Sequence, residues 1–167
     1  MKKLSILVCV ILTALFLFTG CKIETTKQHN QKNEDNSKPK ITVSLEIKCD
    51  TILDNMDKVD SDIKDIIPKE GIILELDKFD VSEGSSVYNL LIQVSKSTPF
   101  TVTSTGGSKT AYITSIGGIK EFSVGGASGW KYTVNDEFVS SSCGSQLLKE
   151  DDKVAFLFTC DLGEDLK

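Results

Sequence analysis

The sequence predicts an α+β domain, and three of its features carry that prediction. A strictly alternating apolar segment opens the domain, a second strand-like segment closes it, and one amphipathic helical segment lies between them. Ile41-Thr42-Val43-Ser44-Leu45-Glu46-Ile47-Lys48-Cys49 changes from apolar to polar at each step, the period that turns one face of a strand into a core. Lys153 to Cys160 places Val154, Phe156 and Phe158 on one face and Leu157 on the other, as a strand covered on both sides does. Between them, Val87, Leu90, Leu91 and Val94 repeat at the i, i+3, i+4, i+7 spacing of a helix.

Taken in order, the elements begin with Ile41–Cys49. Asp60 to Ile66 predicts a helical turn that ends before Pro68, and Ile72 to Val81 predicts extended chain. Ser86 is placed to cap the helix, because its side-chain oxygen can accept from an otherwise unpaired amide of the first turn. Pro99 ends the helix. Phe100 to Thr103, Lys109 to Ile116 and Trp130 to Val134 follow as short strands, the last turning at Asn135-Asp136 into Phe138. Gly106-Gly107, Gly117-Gly118 and Gly125-Gly126 mark turns. One helix across a mixed sheet whose first and last strands are its best-formed members predicts a β-grasp-like arrangement, with those two strands parallel and central.

Ahead of the domain the chain has another character. Met1-Lys2-Lys3 precedes an apolar run from Leu4 to Phe18 that closes on Thr19-Gly20-Cys21. A positive end followed by an apolar stretch shorter than the ~20 residues that span a bilayer is the pattern of a cleaved secretory signal. The Thr-Gly pair before cysteine resembles the lipobox of bacterial lipoproteins, with Phe18 where Leu is usual. Residues 1–20 are therefore expected to be a signal peptide and Cys21 the lipidated residue, which places the protein at the outer face of the cell membrane. Residues 21–40 are crowded with Lys, Gln, Asn, Glu, Asp, Ser and Thr. Such a segment buries too little apolar surface to order itself and reads as a tether. The domain is expected to span residues 41–167, a length suited to one core.

Charge and composition exclude several classes. The chain carries a formal −5, and removal of Lys2 and Lys3 takes the mature form to −7. That sign argues against nucleic acid as a partner. Every basic residue is lysine, so no guanidinium fork is available for phosphate or carboxylate. The single histidine, His29, lies in the tether, so the domain lacks the near-neutral base that nucleophilic triads need. The acidic runs at Glu150-Asp151-Asp152 and Asp161 to Asp165 read as solvated turns. No enzyme class and no cofactor gains support.

Of five cysteines, Cys9 leaves with the signal and Cys21 is taken by lipid, leaving Cys49, Cys143 and Cys160. Cys49 ends the first strand and Cys160 the last, each in phase with the core face of its strand. If those strands run parallel side by side, their sulfurs meet, and a Cys49–Cys160 disulfide is expected with Cys143 free. Three distant thiols without histidine make a poor metal set.

Trp130 is the only tryptophan, and Tyr132, Tyr112 and Phe122 gather near it in sequence, with glycines at 125, 126 and 129. On a surface, the indole would stack on a flat ligand while Ser128 and Asn135 supplied hydrogen bonds. The competing reading makes Trp130 and Tyr132 core residues.

Ser128-Gly129-Trp130-Lys131-Tyr132-Thr133-Val134-Asn135, followed by the Lys149-x-x-Asp152-Lys153-Val154 strand, resembles the transcobalamin-like C-terminal domain family. Cys49 to Asn55, Ser86-Val87, Tyr112 to Ile116 and Thr159 to Gly163 extend the resemblance over 41–167. Many members carry a further cysteine near the place of Val124 that would match Cys143. The resemblance implies a β-grasp fold and a module for soluble ligands, with a corrinoid as the named candidate. It equally leaves room for a surface-protein or cell-wall partner and no small ligand.

Overall fold

The computed structural model describes residues 38–166. The signal peptide, Cys9, Cys21, His29 and nearly all of the tether lie outside the described residues.

The alternating segment forms β1 (Lys40–Lys48), with Val43, Leu45 and Ile47 all buried. β2 (Ile72–Ser82) returns antiparallel to it. The helix, α1 (Val87–Ser97), buries Val87, Leu90, Leu91 and Val94, the four residues whose spacing predicted it. Ser86 caps it reciprocally: its hydroxyl accepts from the Asn89 amide while the Asn89 side chain accepts from the Ser86 amide. The helix ends two residues before Pro99, as the steric clash of that ring with a preceding helical residue requires. Three short strands follow, β3 (Val102–Thr105), β4 (Tyr112–Ile116) and β5 (Ile119–Lys120). The chain then enters β6 (Gly129–Val134), turns into β7 (Glu137–Phe138) and finishes with β8 (Lys153–Thr159).

The strands divide between two sheets, where the sequence had suggested one. β2-β1-β8-β6-β7 is a five-stranded mixed sheet, and β3-β4-β5 is a separate antiparallel one. The fold class is α+β, with one main helix. β1 and β8 are parallel neighbours, Leu45 opposite Val154 and Ile47 opposite Phe156, and neither is an edge strand. Their inward side chains pack with those of the helix and the small sheet into one core. The Asn135-Asp136 turn holds both residues at positive φ, 54° and 67°, the two-residue hairpin geometry that favours such side chains. The expected helical turn before Pro68 is a 3₁₀ turn over Lys64–Ile66. A second 3₁₀ turn at Asp50–Asn55 had no periodic signal and is anchored by Ile52 in the core.

The expected disulfide is a correction. Cys49, Cys143 and Cys160 are free thiols. The parallel register ends with Lys48 level with Leu157, and both cysteines lie beyond it, Cys49 at the entry to the 3₁₀ turn and Cys160 just past the end of β8. The Cys160 thiol instead lies 3.8 Å from the Thr51 hydroxyl. No helix among the described residues is long and apolar enough to cross a membrane.

Candidate functional site

β6 has a strand partner on one side along its length, β8, but on its other side β7 covers only Thr133 and Val134. Beyond the end of β7 the Val139 amide makes one further bond to the Tyr132 carbonyl. The chain then swings away through Ser140–Cys143 and leaves a cleft of about 430 Å³ between this loop, the start of β4 and the inner side of β6.

Aromatic rings build its base. Tyr132 stacks on Phe156 with centroids 5.8 Å apart, and Trp130 meets the neighbouring Phe158 edge-on at 5.2 Å. Tyr112 and Phe138 stand at the rim, each about half exposed (51% and 52%). Burial raises the Tyr132 phenol above its usual pKa, and its hydroxyl donates to the Ser141 carbonyl at 2.9 Å. Tyr112 is raised chiefly by the hydrogen bond it donates to the Glu121 carboxylate at 2.6 Å. Cys143 closes the wall. Its thiol donates to the Ala111 carbonyl at 3.4 Å, and burial pushes its pKa up to about 11, so it is a protonated, unreactive surface of the cleft. With serine hydroxyls at one lip and aromatic rings beneath, the cleft can take a small, mostly apolar molecule with a few hydrogen-bonding groups.

Residues 84–159 match the family described as Domain of unknown function (DUF4430). Haptocorrin, solved in complex with Cbi, superposes with a TM-score of 0.50 at 14% identity, covering 73% of this chain and 25% of that one. The chain thus spans about a quarter of the length of haptocorrin, and the likeness concerns the fold. A candidate metal binding protein from Ruminococcus gnavus ATCC 29149 is a more distant match, with a TM-score of 0.43, 11% identity and 71% and 96% of the two chains covered. No curated protein matches the chain in sequence.

The fold brings Tyr112, Trp130 and Tyr132 together, and separates them from the other two residues singled out in the sequence. Trp130 is 8% exposed, and its indole N–H is committed to the Ile119 carbonyl at 2.9 Å. It is a core residue that contributes to the base of the cleft, not a ring presented to solvent. Ser128 is buried in the preceding turn, where its hydroxyl accepts from the Val124 amide and donates to the Gly125 carbonyl. Asn135 holds the hairpin by bonding Asp152 and the Lys153 amide, each at 2.9 Å. Both polar residues thus shape the backbone and stay out of the cleft. Phe138 and Ser140–Cys143 were missed. An exposed phenylalanine directly after a tight hairpin turn was the one available signal, and a serine run reads as an ordinary loop. Among the described residues no group of three or more His, Cys, Asp or Glu is placed to hold a metal ion.

Proposed function

We propose that this protein is a lipid-anchored extracellular module whose β-grasp domain binds a small ligand in the cleft above Trp130 and Tyr132 without catalysing a reaction. The cleft itself carries the reading. It has an aromatic base, two half-exposed rings at its mouth and a serine-lined lip, and its volume falls in the ~300–1,000 Å³ range of small-molecule sites. The β-grasp assignment draws support from the parallel, non-edge β1 and β8 and from the single helix packed against the core. The export signal and Cys21 support the anchor, and the confinement of the only histidine to the tether supports a non-catalytic role.

A corrinoid is the first ligand to test, because the fold is shared with haptocorrin and that protein was solved with Cbi. At about 430 Å³ the cleft would take one edge of such a molecule and leave the remainder outside. The expected result on titrating the full-length chain with cobinamide is a quench of Trp130 fluorescence together with a shift of the corrin absorbance. Phe138→Ala should weaken this several-fold by removing a rim ring. An unchanged spectrum at high micromolar ligand would reject the corrinoid. It would favour a second reading, a surface-protein or cell-wall interaction domain, for which the 60% exposed Phe122, held at φ 66°, is the supporting observation.

A further inference from the structure

The five-stranded sheet has two faces, and the core occupies only one. On the other, the 3₁₀ turn at Asp50–Asn55 borders one end, and the surface beside it is not flat. Ser44, Ala155 and Thr133 form a floor of short side chains, with Leu157 half-buried beside them. Two hollows, about 430 and 790 Å³, share Glu46, Thr133, Asp136 and Ala155 and so form one continuous trough.

The charge of this trough is one-sided. Glu75 and Asp77 line it on the β2 side and Asp136 on the hairpin side, with Glu46 between them. Asp50, Asp54 and Asp165 close one end. Against these seven carboxylates stand two lysines, and Lys48 is already paired with Glu46 at 2.5 Å. Residues 38–166 hold thirteen lysines and twenty-one carboxylates, net −8, and Lys131, level with Leu157 on the same face, lies against Gly163 outside both hollows. The excess alone would mean little, because carboxylates at a surface are solvated. Here they ring a floor that accepts aliphatic chain, with Leu53 and Phe138 exposed at the margin.

We propose that this trough docks an extended, lysine-rich segment of a partner polypeptide. Lysine supplies both chemistries the surface lacks, an aliphatic stem to lie on Ala155 and Leu157 and an ammonium to reach the rim. From β2 to β6 the trough crosses three strand spacings, about 14 Å, which is the reach of four to five extended residues. Carboxylates at both margins favour a chain with spaced cations over a single charge, and the one-signed field speeds its encounter.

The test uses the full-length chain in detergent and a fluorescent ten-residue peptide of alternating lysine and threonine. Binding is expected at low salt, weakening steeply as ionic strength rises, with shifts in the NMR signals of Ala155 and Leu157. Glu46→Gln with Asp136→Asn should lower affinity tenfold or more, and Asp50→Asn with Asp54→Asn should do so independently. Asp60→Asn with Asp62→Asn, outside the trough, should leave it unchanged. Three results would each overturn the proposal: no binding at low salt, equal loss in trough and control variants, or displacement of the peptide by equimolar spermine, which would assign the face to a small polyamine.

Discussion

The sequence left Trp130 open between a ligand contact and a core residue and offered Asn135 as a hydrogen-bonding partner for a ligand, and each serves the structure. A buried indole N–H left without an acceptor costs ~1–3 kcal/mol, so the fold supplies the Ile119 carbonyl. Asn135 occupies a left-handed turn position, which an amide side chain tolerates better than most. The thiols illustrate the same economy and yield a prediction. Burial pushes Cys49 to about 12 and Cys143 to about 11 from an ordinary value of 9.0. Because the folded chain keeps these protons longer than the unfolded one, their contribution to stability is intact below pH 9. It falls as pH rises from 9 towards 12. Denaturant midpoints should therefore drop across that interval, and replacing both residues by alanine should flatten the decline. At pH 8, a thiol reagent should label half-buried Cys160 first and reach Cys49 and Cys143 only on unfolding.

Elements followed the sequence where one periodicity was long enough to dominate. β1 lies within a residue of the expected bounds and α1 starts directly after the expected cap, because nine alternating residues and four apolar positions over two turns leave no competing pattern. The short strands were less legible. β5 is two residues long and β7 likewise, lengths over which periodicity has no meaning. The helix cap can be tested directly. Ser86→Ala removes the acceptor for the Asn89 amide and should cost about 1 kcal/mol of unfolding free energy in a denaturant titration, with Ser86→Gly costing only a few tenths. Gly71 sets a second limit. At φ 69° its carbonyl accepts from the Cys49 amide, and an added Cβ would collide with the Asp50 backbone. Gly71→Ala should therefore destabilise the chain by more than the cap variant, as the same titration would show.

At the scale of the molecule, the parallel pairing of β1 with β8 joins segments more than a hundred residues apart. Closing so long a loop must precede the contacts that reward it. Refolding from denaturant, followed by Trp130 fluorescence, is accordingly expected on a timescale of roughly milliseconds to seconds. A single microsecond phase would contradict that expectation.

The order of strong elements, the capped helix and the phase of the core-facing side chains are written locally, in runs of alternating or helical spacing, and these the sequence determined by itself. The division of the strands between two sheets, the free state of the Cys49 and Cys160 thiols, the withdrawal of Trp130 into the core and the trough on the far face were decided by tertiary structure. Each depends on registers between distant strands and on where a strand partner stops. Those are properties of pairs of segments, and a pattern along one segment cannot encode them.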